Sequence, residues 1–451
     1  MNRLVVVTMI VPLLISSFVY ADNFNDDNEV LTLDEAIEIA IANNTIIKEA
    51  MESQKAAFEE KKSARADFFP KLSATYSYTR LKETPFAVFR YSSFGPPRID
   101  VGDKDNFHWD ITITQPIFTG FALSSKYKIA KLGAEIKSME RERAVLEVIK
   151  QVKIAYFNIL LAEKFLLVAE EAVNQLEAHV KDAEKFYEHG LIPYNDLLRS
   201  RVALADALQN KVKAESDLDL TIASLNTVLR RDINRKTMVE DITEIETTPF
   251  NLDCLMEEAM RNRPELKALR IAVKNADNRL RLAKSAYYPE ITLVGSYEQN
   301  GENLRASRNS FKNSYNASII LAARWTLFEW GKKRAEVKKS YFDKLALIEK
   351  VKGIEDRIKL EVKDAWLNLR VAEKNIQTAK ESLEQAKENY RITNLQYQQQ
   401  MTTSTEVLDA RTFLTQAETN YYRALYGYLI SLAELERAVG RGWQGNGETK
   451  G

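Results

Sequence analysis

The chain of 451 residues contains one cysteine, Cys254, so an intrachain disulfide, a CxxC redox pair and a cysteine-rich metal site are all excluded. Glycine and proline are scarce, at 15 and 10 residues. Few chain breakers imply long uninterrupted elements. Neither sign of charge is in excess, with 64 basic and 64 acidic side chains, so nothing polybasic points to nucleic acid or acidic lipid. The three histidines, His108, His179 and His189, show no HxxxH or HExxH spacing. No GxSxG elbow occurs, and Gly331-Lys332 lacks the upstream glycine of a phosphate loop. An enzyme is therefore not expected, and neither is a cofactor or a metal site.

Long apolar runs are also absent, with one exception at the N-terminus. Asn2 and Arg3 precede an apolar stretch from Leu4 to Val19, and Val19-Tyr20-Ala21 ends it with a small residue. This pattern predicts an export signal over residues 1–21 and a mature start at Asp22. The alternative, an uncleaved anchor, is disfavoured because the stretch is short of the roughly 20 residues a span needs. No cysteine follows the cut, so no lipid anchor is expected there. Beyond it no apolar run approaches spanning length and the mean hydropathy is −0.34. Any membrane insertion must then use strands.

What the sequence does contain is an internal duplication. Leu33-Asp34 falls on Leu252-Asp253, Asn43 on Asn262, Phe69-Pro70 on Tyr288-Pro289 and Ser77-Tyr78 on Ser296-Tyr297. In a slightly shorter register Phe118 falls on Phe328, Ala155-Tyr156 on Ala365-Trp366, Ala162-Glu163-Lys164 on Ala372-Glu373-Lys374, and Leu198 on Leu408. The length difference lies between about 79 and 106 in the first copy and between 298 and 316 in the second, which marks an exposed loop. Each copy reads helix, strand, loop, strand, helix, turn, helix. The expected boundaries in copy one, 22–230, are helix 33–66, strands 72–81 and 107–117, helix 122–189 and helix 195–229. A linker follows at 231–250. Copy two, 251–440, has helix 252–286, strands 291–300 and 315–327, helix 332–399 and helix 404–438, and residues 441–451 form a flexible tail.

The helices carry heptads rich in alanine. Leu369, Ala372, Ile376, Ala379, Leu383, Ala386 and Tyr390 recur at steps of three and four, as do Leu414, Ala417, Tyr421, Ala424, Tyr428, Ser431 and Leu435. Small seam residues suit a wall of closely packed helices. The stretch from Ala122 to His189 would be about 100 Å long, which one entry and one return helix stacked end to end would match.

The strands alternate. Leu72, Ala74, Tyr76 and Tyr78 interleave with Ser73, Thr75, Ser77 and Thr79; Phe107, Trp109, Ile111 and Ile113 interleave with His108, Asp110, Thr112 and Thr114. Copy two repeats this with Ile291, Leu293 and Tyr297, then Tyr315, Ala317, Ile319 and Leu321. This is the pattern of barrel strands, apolar toward lipid and polar toward a lumen. Four strands cannot close a barrel and unpaired edges are prohibitive in lipid. Two chains would give eight strands and a filled interior, three would give twelve and an open pore. The expectation is a homotrimer.

The duplicated unit, with Ala66 to Tyr78, Gln115-Pro116-Ile117-Phe118-Thr119-Gly120 and Gly190 to Arg201, resembles the TolC-type outer-membrane factor family over residues 31–440. The resemblance implies an α+β membrane protein: a trimeric, twelve-stranded outer-membrane β-barrel continued by a periplasmic coiled-coil barrel. It implies the exit duct of a tripartite efflux pump or type I secretion system, fed by an inner-membrane transporter through a periplasmic adaptor. In such proteins the helical tips narrow the tunnel and meet the adaptor. Here these are Gly190, Leu191, Ile192 and Pro193, with Met401 and Thr402 in copy two. The resemblance places Asp196 and Tyr397 where an inter-helix hydrogen bond holds the entrance closed, and Glu406 and Asp409 where acidic rings line the constriction. Three departures stand out. Thr402 replaces an arginine that ties the closed entrance in some members, Gln400 replaces the usual turn glycine, and Thr326 replaces a proline at the strand-to-helix corner. The rival reading is a periplasmic coiled-coil tether, which would need no strands. The exported substrate is not readable, since cargo is chosen upstream and no methionine cluster argues for soft metals.

Overall fold

A computed structural model describes residues 30–88, 98–242 and 250–442. The expected signal lies outside the described residues, as do most of the expected tail and parts of the first loop and the linker. Copy one comprises β1 (Val30–Leu31), α1 (Leu33–Asn43), α2 (Thr45–Ala66), β2 (Lys71–Arg80), β3 (Phe86–Val88), β4 (Arg98–Asp100), β5 (Asp105–Thr119), α3 (Ala122–Glu188) and α4 (Tyr194–Leu229). After β6 (Met238–Val239), copy two comprises α5 (Leu252–Asn262), α6 (Pro264–Ser285), β7 (Glu290–Gly301), β8 (Tyr315–Arg324), α7 (Lys332–Gln398) and α8 (Ser404–Val439).

Two expected helices are each divided. The stretch 33–66 breaks at Asn44, whose backbone is extended and whose Oδ1 accepts from Ile46 N at 2.9 Å, capping α2. Asn44 Nδ2 also donates to Val228 O at 2.9 Å, so the entry helix meets the end of the return helix α4 there. The stretch 252–286 breaks at Arg263 because Pro264 follows it and disfavours helical geometry in the residue before. Strand β8 stops at Arg324, short of 327, because its ladder with β7 ends at the pair Glu290–Arg324. The first loop is not bare, since β3 and β4 pair as a short antiparallel hairpin.

The main sheet is antiparallel in the order β2-β5-β7-β8. Its register preserves the two faces: Ala74, Ile111, Tyr297 and Ala317 lie in one row, and Ser73, Thr112, Ser296 and Ser318 in the next. A bulge at Ile117 turns Phe118 onto the row of Ile291, where its ring meets Phe121 and Tyr288 edge-on at 5.5 and 6.4 Å. Among the described residues β2 and β8 have no partner on their outer edges, and Ile319, Leu321 and Tyr76 are exposed.

The chain passes from β5 to α3 and from β8 to α7 through two successive left-handed residues, Gly120-Phe121 (φ 59° and 69°) and Trp330-Gly331 (φ 46° and 85°). Helices α3 and α7 each have 67 residues, about 100 Å. α3 packs on α2 and α6 toward the sheet and on α4 and α8 toward the turns, and α7 packs between α6 and α8. The two copies therefore interlock.

The core lies at mid-height, where Ile37, Ile47, Ile159, Leu160, Leu225, Leu266, Ile358 and Leu435 are fully buried. The described part of the linker is laid against it. β6 pairs in parallel with β1, and Tyr156 Oη lies 2.9 Å from Leu31 O and 2.8 Å from Glu240 O. Asp241 accepts from Lys164 at 2.6 Å and Tyr426 at 2.9 Å, and Trp366 Nε1 donates to Phe250 O at 3.0 Å. Burial pushes both the Tyr156 and Tyr426 hydroxyls far up, so each remains a neutral donor. No helix among the described residues is long and apolar enough to cross a membrane.

Candidate functional site at the helical turns

The end of the molecule opposite the sheet is made by two hairpin turns, α3 to α4 and α7 to α8. In the first, Gly190 adopts φ 70°, Gly190 N donates to Tyr187 O at 2.9 Å and Leu191 N to Phe186 O at 2.8 Å. This returns the orphan carbonyls of the helix end to backbone donors. Pro193 then precedes α4 in extended geometry. The second turn is the same turn built without glycine: Gln400 stands at φ 59°, with Gln400 N to Tyr397 O and Met401 N to Gln396 O both at 2.9 Å. An L-residue pays steric strain there. Gln400→Gly is therefore expected to stabilise the second hairpin by about 1 kcal/mol, read as a raised midpoint in thermal unfolding; an unchanged or lowered midpoint would refute the strain.

Leu191 and Met401 are exposed at the two tips, 50% and 71%, and Ile192 and Thr402 are half-buried. Glu406 and Asp409 are exposed three residues apart on α8, hence on one face. Thr402 Oγ1 donates to Glu406 Oε2, and Thr403 Oγ1 accepts from Glu406 N at 3.4 Å as the cap of α8. Thr402, in the turn, thus engages an acid in the first turn of the helix that follows it.

Asp196 and Tyr397 are neighbours but do not bond. Tyr397 is 2% exposed and its Oη has no hydrogen-bond partner. Its ring lies against His179 at 4.7 Å and Phe186 at 5.5 Å. Burial pushes its hydroxyl pKa up, and the Asp196 carboxylate adds to the shift.

What joins the hairpins instead is a chain of groups that sequence reasoning missed. His179 Nε2 lies 2.8 Å from Ser404 Oγ, Ser404 Oγ lies 2.9 Å from Ser200 Oγ, and Ser200 Oγ donates to Asp196 O at 3.0 Å. All three side chains are buried: His179 3%, Ser200 0% and Ser404 1% exposed. Nearby, Arg199 Nη1 donates to Thr405 Oγ1 at 3.0 Å, a second tie between α4 and α8. Burial lowers the His179 pKa to about 4, against the attraction of Asp182, so the imidazole is neutral at ordinary pH. No motif could have revealed the chain, because Ser404 lies some two hundred residues from His179 and Ser200 and only the packing of α8 on α3 and α4 brings it to them.

Comparison with known proteins accords with this geometry. The family model "Outer membrane efflux protein" matches residues 36–229 and 255–441, the two copies in turn. Outer membrane protein TolC of Vibrio cholerae is 21% identical over 433 residues, covering 94% of this chain and 92% of that protein. Its Escherichia coli namesake is 21% identical over 430 residues, covering 92% and 84%. Among solved structures, the Campylobacter jejuni CmeC outer membrane channel superposes with a TM-score of 0.78 at 16% identity, over 92% of this chain and 87% of that one. The Vibrio cholerae outer membrane protein VceC gives 0.76 at 18% identity, over 91% and 97%. The chain belongs to the outer membrane efflux protein family, with the α+β fold of its outer-membrane channels and the role of an exit duct for efflux or secretion in the bacterial outer membrane.

Proposed function

We propose that three copies close one twelve-stranded barrel in the outer membrane and one helical tunnel across the periplasm, a passive conduit for substrates handed over by an inner-membrane transporter through a periplasmic adaptor. The observation that carries this reading is the sheet: four strands with both outer edges unpaired, an apolar face in register and a hydroxylated face in register. Edges of that kind are unsustainable in hydrocarbon unless another copy pairs them. The polar face suits a water-filled lumen, because Asp110 and Glu298 stand directly opposite on adjacent strands and like charges so placed are unfavourable unless solvated. A further relative, toxin and drug export protein A of Aggregatibacter actinomycetemcomitans, is 20% identical over 325 residues and supports an export role.

The turns form the entrance in this reading. The tips Gly190, Leu191, Ile192 and Pro193, with Met401 and Thr402, offer the adaptor exposed apolar contact. Glu406 and Asp409 repeat around the threefold axis as two rings of three carboxylates, which draw cations and are open to block by multivalent ones. Asp196 and Tyr397 belong to the same gate through the packing around Ser404.

Purified trimer reconstituted in planar bilayers is expected to give discrete, cation-preferring conductance steps that millimolar trivalent cations block. The double variant Glu406→Gln with Asp409→Asn is expected to conduct but to lose most of that block, with a weaker cation preference. Folded trimer without conductance in either form would instead favour the tether. Equal block in both forms would remove the acidic rings from the constriction.

A further inference from the structure

The junction between the two hairpins holds a polar chain whose direction follows from counting protons. Ser200 has one hydroxyl proton and gives it to Asp196 O at 3.0 Å. The 2.9 Å contact between the two serines must then use the proton of Ser404. With that proton committed, the 2.8 Å contact to His179 must be an Nε2–H donating to Ser404 Oγ. The imidazole is thus the Nε2–H tautomer. Its Nδ1 is a bare lone pair, buried and without a partner among the described residues.

We infer that this His179–Ser404–Ser200 chain is the latch that holds the second hairpin against the first, and that acid releases it by protonating the imidazole at Nδ1. The inference rests on the turns being the tunnel entrance. In the packed arrangement a proton on Nδ1 would create a buried N–H with no acceptor, beside the start of α8, where the helix dipole also disfavours a cation. If the hairpins part, water can solvate both ring nitrogens and the charged form costs nothing. Protonation therefore favours separation.

The charged and titratable groups around the ring do not reverse this. From α3, Asp182 favours the imidazolium, but it also accepts from Lys185 at 3.3 Å. From α4 come Asp196, near the Tyr397 hydroxyl, and Arg199, which is bonded to Thr405. α7 supplies Tyr397, a neutral phenol, and α8 supplies Glu406, whose carboxylate accepts from Thr402. Burial outweighs these groups and keeps the ring neutral down to about pH 4 in the packed state. The released state binds the proton near the ordinary histidine value of about 6.5. The latch is thus fully held above the ordinary value and weakens as pH falls from it toward about 4, by up to about tenfold per pH unit in each protomer.

Two readouts on detergent-purified trimers test the latch: bilayer conductance, and the distance between spin labels at Leu191→Cys and Met401→Cys in a Cys254→Ser background. Between about pH 7.5 and 4.5 the unaltered chain is expected to show at least about a tenfold rise in open probability and a longer tip-to-tip distance. His179→Gln, whose amide can still donate to Ser404 but cannot titrate in this range, is expected to lose both responses and stay packed. Ser404→Ala, which keeps the imidazole and breaks the chain, is expected to be more open already at neutral pH. A conducting pore with the same pH response in the unaltered chain and in His179→Gln overturns the latch and leaves the channel reading intact. Tips that part with acid only when His179 is present, in trimers that never conduct, support the latch and overturn the entrance reading.

Discussion

Replacing Arg263 with alanine is expected to destabilise the helical barrel by about 3 kcal/mol. The guanidinium is 5% exposed. It forms a two-pronged pair with Glu361 at 3.0 Å on each prong, contacts Glu265 at 3.2 Å, and donates to Ala438 O at 2.8 Å. It thereby caps the end of α8 at the break between α5 and α6. Removing it leaves the Glu361 carboxylate, itself 39% exposed, with a 3.5 Å contact to Arg437 and with water. Glu265 fares better because Arg437 holds it at 2.8 Å, which sets the expected loss at the lower end of the range for a broken buried pair.

Adding Glu361→Met to Arg263→Met is expected to recover most of the loss, since deleting both charges leaves fewer uncompensated groups. Thermal unfolding followed by circular dichroism reads both effects. An Arg263→Ala midpoint equal to that of the unaltered chain would sink the argument. The same cluster carries a pH dependence. Burial pushes the carboxyls of Glu147 and Glu265 up, but hydrogen bonds and the neighbouring Arg and Lys charges outweigh it, and both pKa values end lowered. Acids with lowered values stabilise the fold above the ordinary carboxylate range, and that contribution is lost as pH falls below it.

The second large effect is expected at Gly120. A Cβ there would lie 2.6 Å from Ser285 O and 2.7 Å from Tyr288 Cβ, at a backbone φ of 59°. The obstacle at Ser285 is backbone and cannot swing away. Gly120→Ala should therefore combine left-handed strain with overpacking, about 2–4 kcal/mol in all. The bulge at Ile117 and the ring cluster of Phe118, Phe121 and Tyr288 would shift with it. Gly331, at the corresponding corner of copy two, has φ 85° but nothing within 4 Å of its would-be Cβ. Gly331→Ala should cost only the backbone strain, about 1 kcal/mol. The measurements are the yield of folded protein in the outer-membrane fraction and the thermal midpoint. Equal losses at the two glycines would show that close approach at the first corner is not what matters.

Much of the architecture was legible because it rests on local periodicity repeated twice. Strand alternation and the paired turns each appear in both copies, so one copy checks the other. The break at Arg263 was also legible in principle, since Pro264 acts on its neighbour through sterics alone. The break at Asn44 was not, because the residue earns it partly through a bond to Val228 O, far along the chain. At the far end of the helices the turns themselves were readable from Gly190 and Pro193. Gln400 was readable as a departure, but the preserved turn around it was not, because backbone hydrogen bonding there overrides the residue's preference.

The sequence by itself determined the order of the long helices and main strands, the two-faced strands and the place of the turns, since these depend on side-chain spacing within tens of residues and recur in a second copy. Tertiary structure alone decided which groups join the hairpins. Asp196 and Tyr397 lie close without bonding, while His179, Ser200 and Ser404 form the buried chain. The reason is geometric: a hydrogen bond is made or lost within a few tenths of an ångström, and the rotation of α8 against α3 and α4 that sets those distances is fixed by packing along the whole helical length.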